Sequence, residues 1–206
     1  MTYRTIAAAC AGELQVSRSR FLAELRRVET EEQARSVIAE VRAAHRDARH
    51  HCSAFVLGPD AQLQRSNDDG EPSGTAGTPI LAALNGSQLS DVVAVVTRWF
   101  GGTLLGTGGL TRAYGGAVDA ALRHARFVIR EEREAVDLAV PHADAGRVEA
   151  ELRARGVDVT GTDYAEVATL HLTTADPGDL DAHIAALTSG TAVGIRKGPR
   201  WHDVRS

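Results

Sequence analysis

Leu110, Ala113, Tyr114, Ala117, Val118, Ala121 and Leu122 recur at i, i+3, i+4, i+7, i+8, i+11 and i+12, which is one continuous apolar helix face. Arg112, Gly116, Asp119 and Arg123 fall on the other side. Ahead of this helix, Asp91–Thr97 is almost wholly apolar and reads as a buried strand. Further upstream, β-type patterning occurs around Thr5–Ala9, Leu14–Val16 and Phe21–Val28. Thr30 with Gln33 three residues on has capping-box spacing, and Ala34, Val37, Ile38 and Val41 mark the buried face of the helix it opens. Ser53–Leu57 reads as a strand with Leu63–Ser66 as its hairpin partner across Gly58-Pro59-Asp60. Thr78-Pro79 supplies an N-cap and N1 proline for a short helix ending near Gly86.

The charged stretch Arg130–Glu134 predicts a domain boundary. Beyond it the order is strand, helix, strand, strand, helix, strand. Val136, Leu138 and Val140 alternate; Ala145, Val148 and Leu152 make a helix face closed by Gly156. Val157–Thr160 and Ala168–Leu172 read as strands, Asp176 and Pro177 start a helix with Leu180, Ile184 and Leu187 inward, and Val193 and Ile195 close the set. This βαββαβ order is the ferredoxin-like pattern.

At 206 residues, 43% hydrophobic and 24% charged, the chain fits an ordinary globular protein of one large or two small domains. The formal charge of −4 excludes a globally basic nucleic-acid binder but not a local basic patch. Two cysteines, Cys10 and Cys52, make no disulfide framework and fit a reducing compartment. The apolar run Ile6–Ala11 is too short for a signal peptide, and no stretch approaches the roughly 20 residues of a membrane span. The expectation is a cytoplasmic protein with no membrane association.

Eleven of the twenty glycines lie between Gly70 and Gly116, eight of them in two loops. Glycine loses more backbone entropy on folding than any other residue, so the clustering requires positive φ angles or a close approach to the backbone. Arg112 is placed in the first turn of the best helix, directly after Gly108-Gly109, where a cation opposes the helix dipole. An anion among the free amides would offset it, with Arg98 converging across the loop. In the competing reading both arginines pair with Asp68, Asp69 or Glu71 and clamp the loops together. Neither loop matches a nucleotide fingerprint, and Ser73 lacks the first glycine of a nucleophile elbow. Asp68, Asp69 and Glu71 lack the spacing of a calcium loop. His50 and His51 are adjacent and point to opposite faces of a strand, and Cys52 reads as a small core residue, so no metal and no cofactor is expected.

These residues carry a resemblance. His50-x-Cys52-x-Ala54, the run from Asn67 to Leu81 containing Asp68, Asp69, Glu71, Ser73 and Thr75, and the run from Val95 to Tyr114 containing Arg98, Gly101, Gly102, Gly108, Gly109 and Arg112 resemble the IMPACT family in its bacterial form. Ser19-Arg20-Phe21 and His45-Arg46-Asp47-Ala48 are similar to the family pattern as well. The likeness spans about residues 17 to 125, with Trp99 where tyrosine is commoner. It implies an α+β protein: residues 1–132 as an α/β domain like domain 2 of ribosomal protein S5, residues 133–197 as a ferredoxin-like domain, and 198–206 as a tail.

Both folds recur in translation factors. The resemblance implies a non-enzymatic factor linked to translation or its regulation under stress, with RNA, the ribosome or a translation-factor protein as partner. The expected binding set is His50, Asp68, Asp69, Glu71, Ser73, Thr75, Arg98, Gly101, Gly102, Gly108, Gly109, Arg112 and Tyr114. The alternatives are an enzyme acting on a phosphorylated small molecule or nucleotide, and a protein-interaction module with Trp99 and Phe100 as exposed anchors.

Overall fold

A computed structural model describes residues 1–204; Arg205 and Ser206 lie outside the described residues. The chain divides into two units, Met1–Arg130 with Val204, and Glu131–Asp203.

In the first unit β2 (Cys10–Val16), β3 (Ser19–Arg27), β4 (His50–Leu57), β5 (Leu63–Asn67) and β6 (Val92–Trp99) form a sheet in the order β2-β3-β6-β4-β5. All four pairings are antiparallel. The central strand β6 is buried on both faces, which explains its unbroken apolar run. One face packs α1 (Glu31–Ala44): Ala34, Val37 and Val41 meet Phe55, Val93 and Val95. The other packs α2 (Gly77–Gly86) and α3 (Gly106–Leu122): Ile80, Leu84, Tyr114, Ala117 and Val118 meet Phe21, Cys52, Ala54, Ala94 and Val96. Strand alternation sends Phe55 to one core and Cys52 to the other. β1 (Thr2–Ile6) pairs with β7 (Phe127–Val140), whose first residues belong to this unit.

The caps correct one expectation and refine another. Thr30 Oγ1 accepts the Gln33 amide at 3.2 Å, while Gln33 Oε1 accepts the Glu29 amide at 2.7 Å, one residue beyond the capping-box position. Thr78 does not cap α2. The helix begins at Gly77 with Ala76 at the N-cap, and the Asp68 carboxylate takes over the capping.

In the second unit β7 continues, followed by α4 (His142–Ala154), β8 (Asp158–Tyr164), β9 (Ala168–Thr174), α5 (Pro177–Thr188) and β10 (Ile195–Val204). The sheet runs β10-β7-β9-β8, the spatial arrangement of a ferredoxin-like βαββαβ unit. Val148, Leu152, Leu180 and Ile184 pack on Val136, Leu138, Leu170 and Leu172. Asp176 caps α5 by accepting the Gly178 and Asp179 amides at 3.0 and 3.1 Å. Residues 198–204, expected as a tail, belong to β10, and Val193 and Ile195 are exposed rather than inward. The charged run Arg130–Glu134 lies within β7, the units divide between Arg130 and Glu131, and Arg130 is buried with partners in the first unit: Glu29 at 2.7 Å and the Tyr3 hydroxyl at 3.1 Å. No helix among the described residues is long and apolar enough to cross a membrane.

Candidate functional site

The first glycine loop is built around Asp68. Its Oδ1 accepts the Ala76 and Gly77 amides at 3.0 and 2.8 Å, and its Oδ2 accepts the Gly74 amide at 2.8 Å. The anion at the N-terminus of α2 is therefore the chain's own carboxylate. Burial alone would raise this carboxyl, but the three backbone N–H groups outweigh it and hold it below the usual carboxylate range.

Asp69 joins the two faces of the sheet. Its backbone carbonyl meets His50 Nδ1 at 2.9 Å, Oδ2 accepts the His51 amide at 2.7 Å, and Oδ1 pairs with Arg42 of α1 at 2.6 Å. Arg42 and the His51 amide overcome the effect of burial and lower its pKa. Thr75 is buried and donates to the Pro72 carbonyl at 2.6 Å, closing the turn. Ser73 is exposed, and no histidine among the described residues hydrogen-bonds it.

Glu71 leaves the loop for the interior. Its Oε1 accepts from Arg98 at 2.6 Å and from the Tyr114 hydroxyl at 2.7 Å. Arg98 and Glu71 side chains are 7% and 4% exposed. Loop clamping by Arg98 is thus realised through Glu71. Tyr114 is fully buried and acts from inside the core, so the expected ligand contact by Tyr114 is corrected: its hydroxyl orients Glu71.

The second loop differs from its sequence reading in one important respect. Helix α3 starts at Gly106, with Leu105 at the N-cap and no side-chain cap. Gly108 and Gly109 are therefore inside the first turn and Arg112 is in the second, where the dipole penalty has largely decayed. Arg112 is exposed, and no carboxylate among the described residues pairs with it. Its guanidinium lies back over the first turn, 3.6 Å from where a Gly108 Cβ would stand. The side chain, rather than the residue's position, brings the cation towards the start of α3.

Gly101 and Gly77 serve close approaches by the chain itself. A Cβ on Gly101 would lie 2.0 Å from the Arg18 carbonyl carbon, and one on Gly77 would lie 2.7 Å from the Asn67 amide nitrogen. Gly102 supplies a positive φ of 86° at the loop tip.

Between the loops lies a cavity of about 420 Å³. Arg49, His50, Glu71 and Arg98 give its polar wall; Phe100, Leu104 and Leu110 give its apolar one; Gly106 and Thr107 bring in the start of α3. Arg98 Nε is buried without a hydrogen-bond partner. Phe100 is 52% and Leu104 87% exposed, and the Arg98 guanidinium carbon is 5.6 Å from the Phe100 ring centre. Arg112, Asp68 and Asp69 do not line this cavity. Trp99 is no free anchor: it donates to Asp47 at 2.8 Å, stacks edge-on with His45 and lies under Arg20. Leu104 and Arg49 lie outside the binding set expected from the sequence. Exposed leucines and arginines are too common to signal a site before the fold gathers them.

Cys52 is completely buried, donates to the Asp68 carbonyl at 3.0 Å, and burial pushes its thiol up to about 12. His50 and His51 line cavities on opposite faces of the sheet, as adjacent strand residues must.

Comparison with known proteins accords with this architecture. Residues 17–122 match the Impact N-terminal domain, and residues 138–192 match a domain of unknown function (DUF1949). The chain is 43% identical over 152 residues to the IMPACT family member YvyE of Bacillus subtilis (strain 168), covering 74% of this chain and 70% of that protein. It is 51% identical over 111 residues to the IMPACT family member YigZ of Escherichia coli (strain K12), covering 53% and 54% respectively. A crystal structure of a hypothetical protein superposes with a TM-score of 0.67 at 36% identity, covering 94% of this chain and 96% of that one. The Impact N-terminal domain matched over residues 17–122, about half of the chain, and the 43% identity to YvyE across 74% of it place this chain in the IMPACT family.

Proposed function

We propose that the protein is a cytoplasmic, non-enzymatic factor linked to translation that binds RNA through the cleft between its two glycine loops. The observation that carries this reading is an exposed aromatic ring, Phe100, set beside Arg98, Arg49 and His50 in one cavity. Single-stranded RNA offers the matching surfaces: base faces that stack on an aromatic ring and phosphates that follow positive charge. The start of α3, with no side-chain cap, adds backbone N–H groups suited to a phosphate. Arg112, free of carboxylates among the described residues, supplies a further cation over that helix start.

A purely binding role accords with the chemistry of the interior. The Cys52 thiol is buried and stays protonated near neutral pH, and Glu71 is committed to Arg98 and Tyr114. The link to translation rests on the likeness of both folds to those of translation factors, a fold-level analogy. Exposed Leu104 beside Phe100 favours a second reading, in which the same cleft docks a translation-factor protein.

Fluorescence anisotropy with a labelled single-stranded RNA tests the first reading. Binding should weaken steeply with salt. Phe100→Ala should cost roughly fivefold to a hundredfold, since stacking is worth about 1–3 kcal/mol per base, and Arg112→Ala should reduce the salt dependence. Absence of saturable binding at low salt, or affinity unchanged in Phe100→Ala, would overturn it. Ribosome-free capture of a protein partner, lost in Phe100→Ala and insensitive to nuclease, would favour the second.

A further inference from the structure

The opposite face of the same sheet carries a cavity of about 480 Å³, within the roughly 300–1,000 Å³ of small-molecule sites. Its origin is the packing of α1. That helix seats Val37 and Val41 on the β4 and β6 side of the sheet, while the edge strand β5 ends in the exposed polar run Arg65, Ser66, Asn67. A trough remains between the helix and the edge strand. Its floor is His51, Ser53 and Phe55, alternate residues of β4 that are all buried.

His51 is the informative residue. It is 3% exposed, and its Nε2 donates to the His45 carbonyl at 3.0 Å, which leaves Nδ1 as the ring atom to be satisfied. Nδ1 has no hydrogen-bond partner, and Asp69 Oδ2, 3.8 Å away, is beyond hydrogen-bond reach. A buried polar atom left without a hydrogen-bond partner is costly. Along the helix wall, Ile38 and Ala39 offer an apolar strip. Of the cavity's cations, Arg35 is paired with Glu31 and Arg42 with Asp69. Arg65 has no carboxylate partner among the described residues; it donates only to the Gln64 carbonyl, at 3.0 Å.

We propose that this cavity binds a mononucleotide. Such a molecule supplies the three complements at once: a phosphate for Arg65, a ribose hydroxyl, which both donates and accepts, for His51 Nδ1, and a flat weakly polar body for Ile38, Ala39 and Phe55. Free phosphate meets only the first of these demands. The site is independent of the RNA cleft, which lies across the sheet from it.

Titration calorimetry with the ribonucleoside monophosphates of adenine, guanine, cytosine and uracil, and separately with inorganic phosphate, tests the proposal on the full chain. At least one nucleotide should saturate with a dissociation constant below roughly 1 mM, at least tenfold tighter than phosphate. Arg65→Glu, at an exposed position, should weaken it at least tenfold with an unchanged circular dichroism spectrum, and Ser53→Val should weaken it by blocking the floor. Phe100→Ala should leave it intact. The proposal fails if no nucleotide saturates, if phosphate binds as tightly, or if Arg65→Glu is without effect. It fails equally if Phe100→Ala abolishes binding, which would locate the nucleotide in the other cleft.

Discussion

Arg98 and Glu71 meet at 2.6 Å with both side chains withdrawn from water, and Tyr114 donates to the same Glu71 oxygen at 2.7 Å. The strand end, the first glycine loop and α3 are thereby tied at one atom. Breaking a buried pair from one side leaves the other charge uncompensated, at about 3–5 kcal/mol. Glu71→Ala and Arg98→Ala should each lose stability on that scale in urea denaturation. Tyr114→Phe should lose only about 1 kcal/mol. A cost well below 1 kcal/mol for Arg98→Ala, with RNA binding abolished, would assign Arg98 to the ligand rather than to the clamp.

Asp68 holds three backbone amides, and its folded pKa is depressed below the ordinary 3.8. A depressed carboxyl contributes stability that is complete above the unfolded pKa and disappears as pH falls through the folded one. The first unit should therefore lose stability in acid below about pH 4, and Asp68→Asn should flatten that part of the profile. Asp68→Ala, which orphans the start of α2, should cost about 1–3 kcal/mol at neutral pH. A thermal-melt series across pH for both variants checks this.

In the second unit His171 lies between two carboxylates, Asp137 at 2.6 Å and Asp163 at 3.0 Å, and hydrogen bonds to them raise its pKa above 6.5. The sign is opposite to that of Asp68: the contribution is complete below the unfolded value and is lost as pH rises through the folded one. The histidine is partly exposed, so the effect should be modest. NMR titration of His171 should give a midpoint above 6.5 that returns towards that value in Asp137→Asn. An unchanged midpoint in this variant would remove the cause assigned here.

Glycines of the second loop should separate by cause. Gly101→Ala places a Cβ 2.0 Å from the Arg18 backbone, and overpacking of that kind costs about 1–3 kcal/mol or more. Gly108→Ala meets only the movable Arg112 side chain, at 3.6 Å, within the first turn of α3. It should stabilise the free protein by up to about 1 kcal/mol. If RNA binding falls at the same time, the ligand approaches the Gly108 backbone; if binding is unchanged, that glycine is not at the contact. Paired denaturation and anisotropy measurements read both effects.

Local patterns settled the elements. Thr30 and Gln33 act within one helical turn, the stripe from Leu110 to Leu122 repeats with the helix period, and Asp176 reaches only the next turn. Hydrophobic periodicity and caps act over a few residues, so a single sequence reveals them. The hairpin of β4 and β5 and the βαββαβ order of the second unit were legible for the same reason. The clustered glycines and the charged residues among them also marked the cleft region, and the motif likeness named the family.

The partner of each charge was decided only by tertiary structure. Glu71 and Arg98 are separated by 27 residues and Glu71 and Tyr114 by 43, so nothing local selects Glu71 over Asp68 or Asp69 as the buried partner. Asp68 caps α2 in place of Thr78 because the folded loop brings its carboxylate to the Ala76 and Gly77 amides, while its second oxygen accepts from Gly74 within the loop. Arg112 moved from the first turn to the second because α3 accommodates Gly108 and Gly109 within its own backbone. The trough beneath His51 and the exposed ring of Phe100 beside Arg98 exist only once a sheet and three helices have been stacked. Sequence periodicity specifies which face of an element is apolar; the space left between elements depends on how those faces meet.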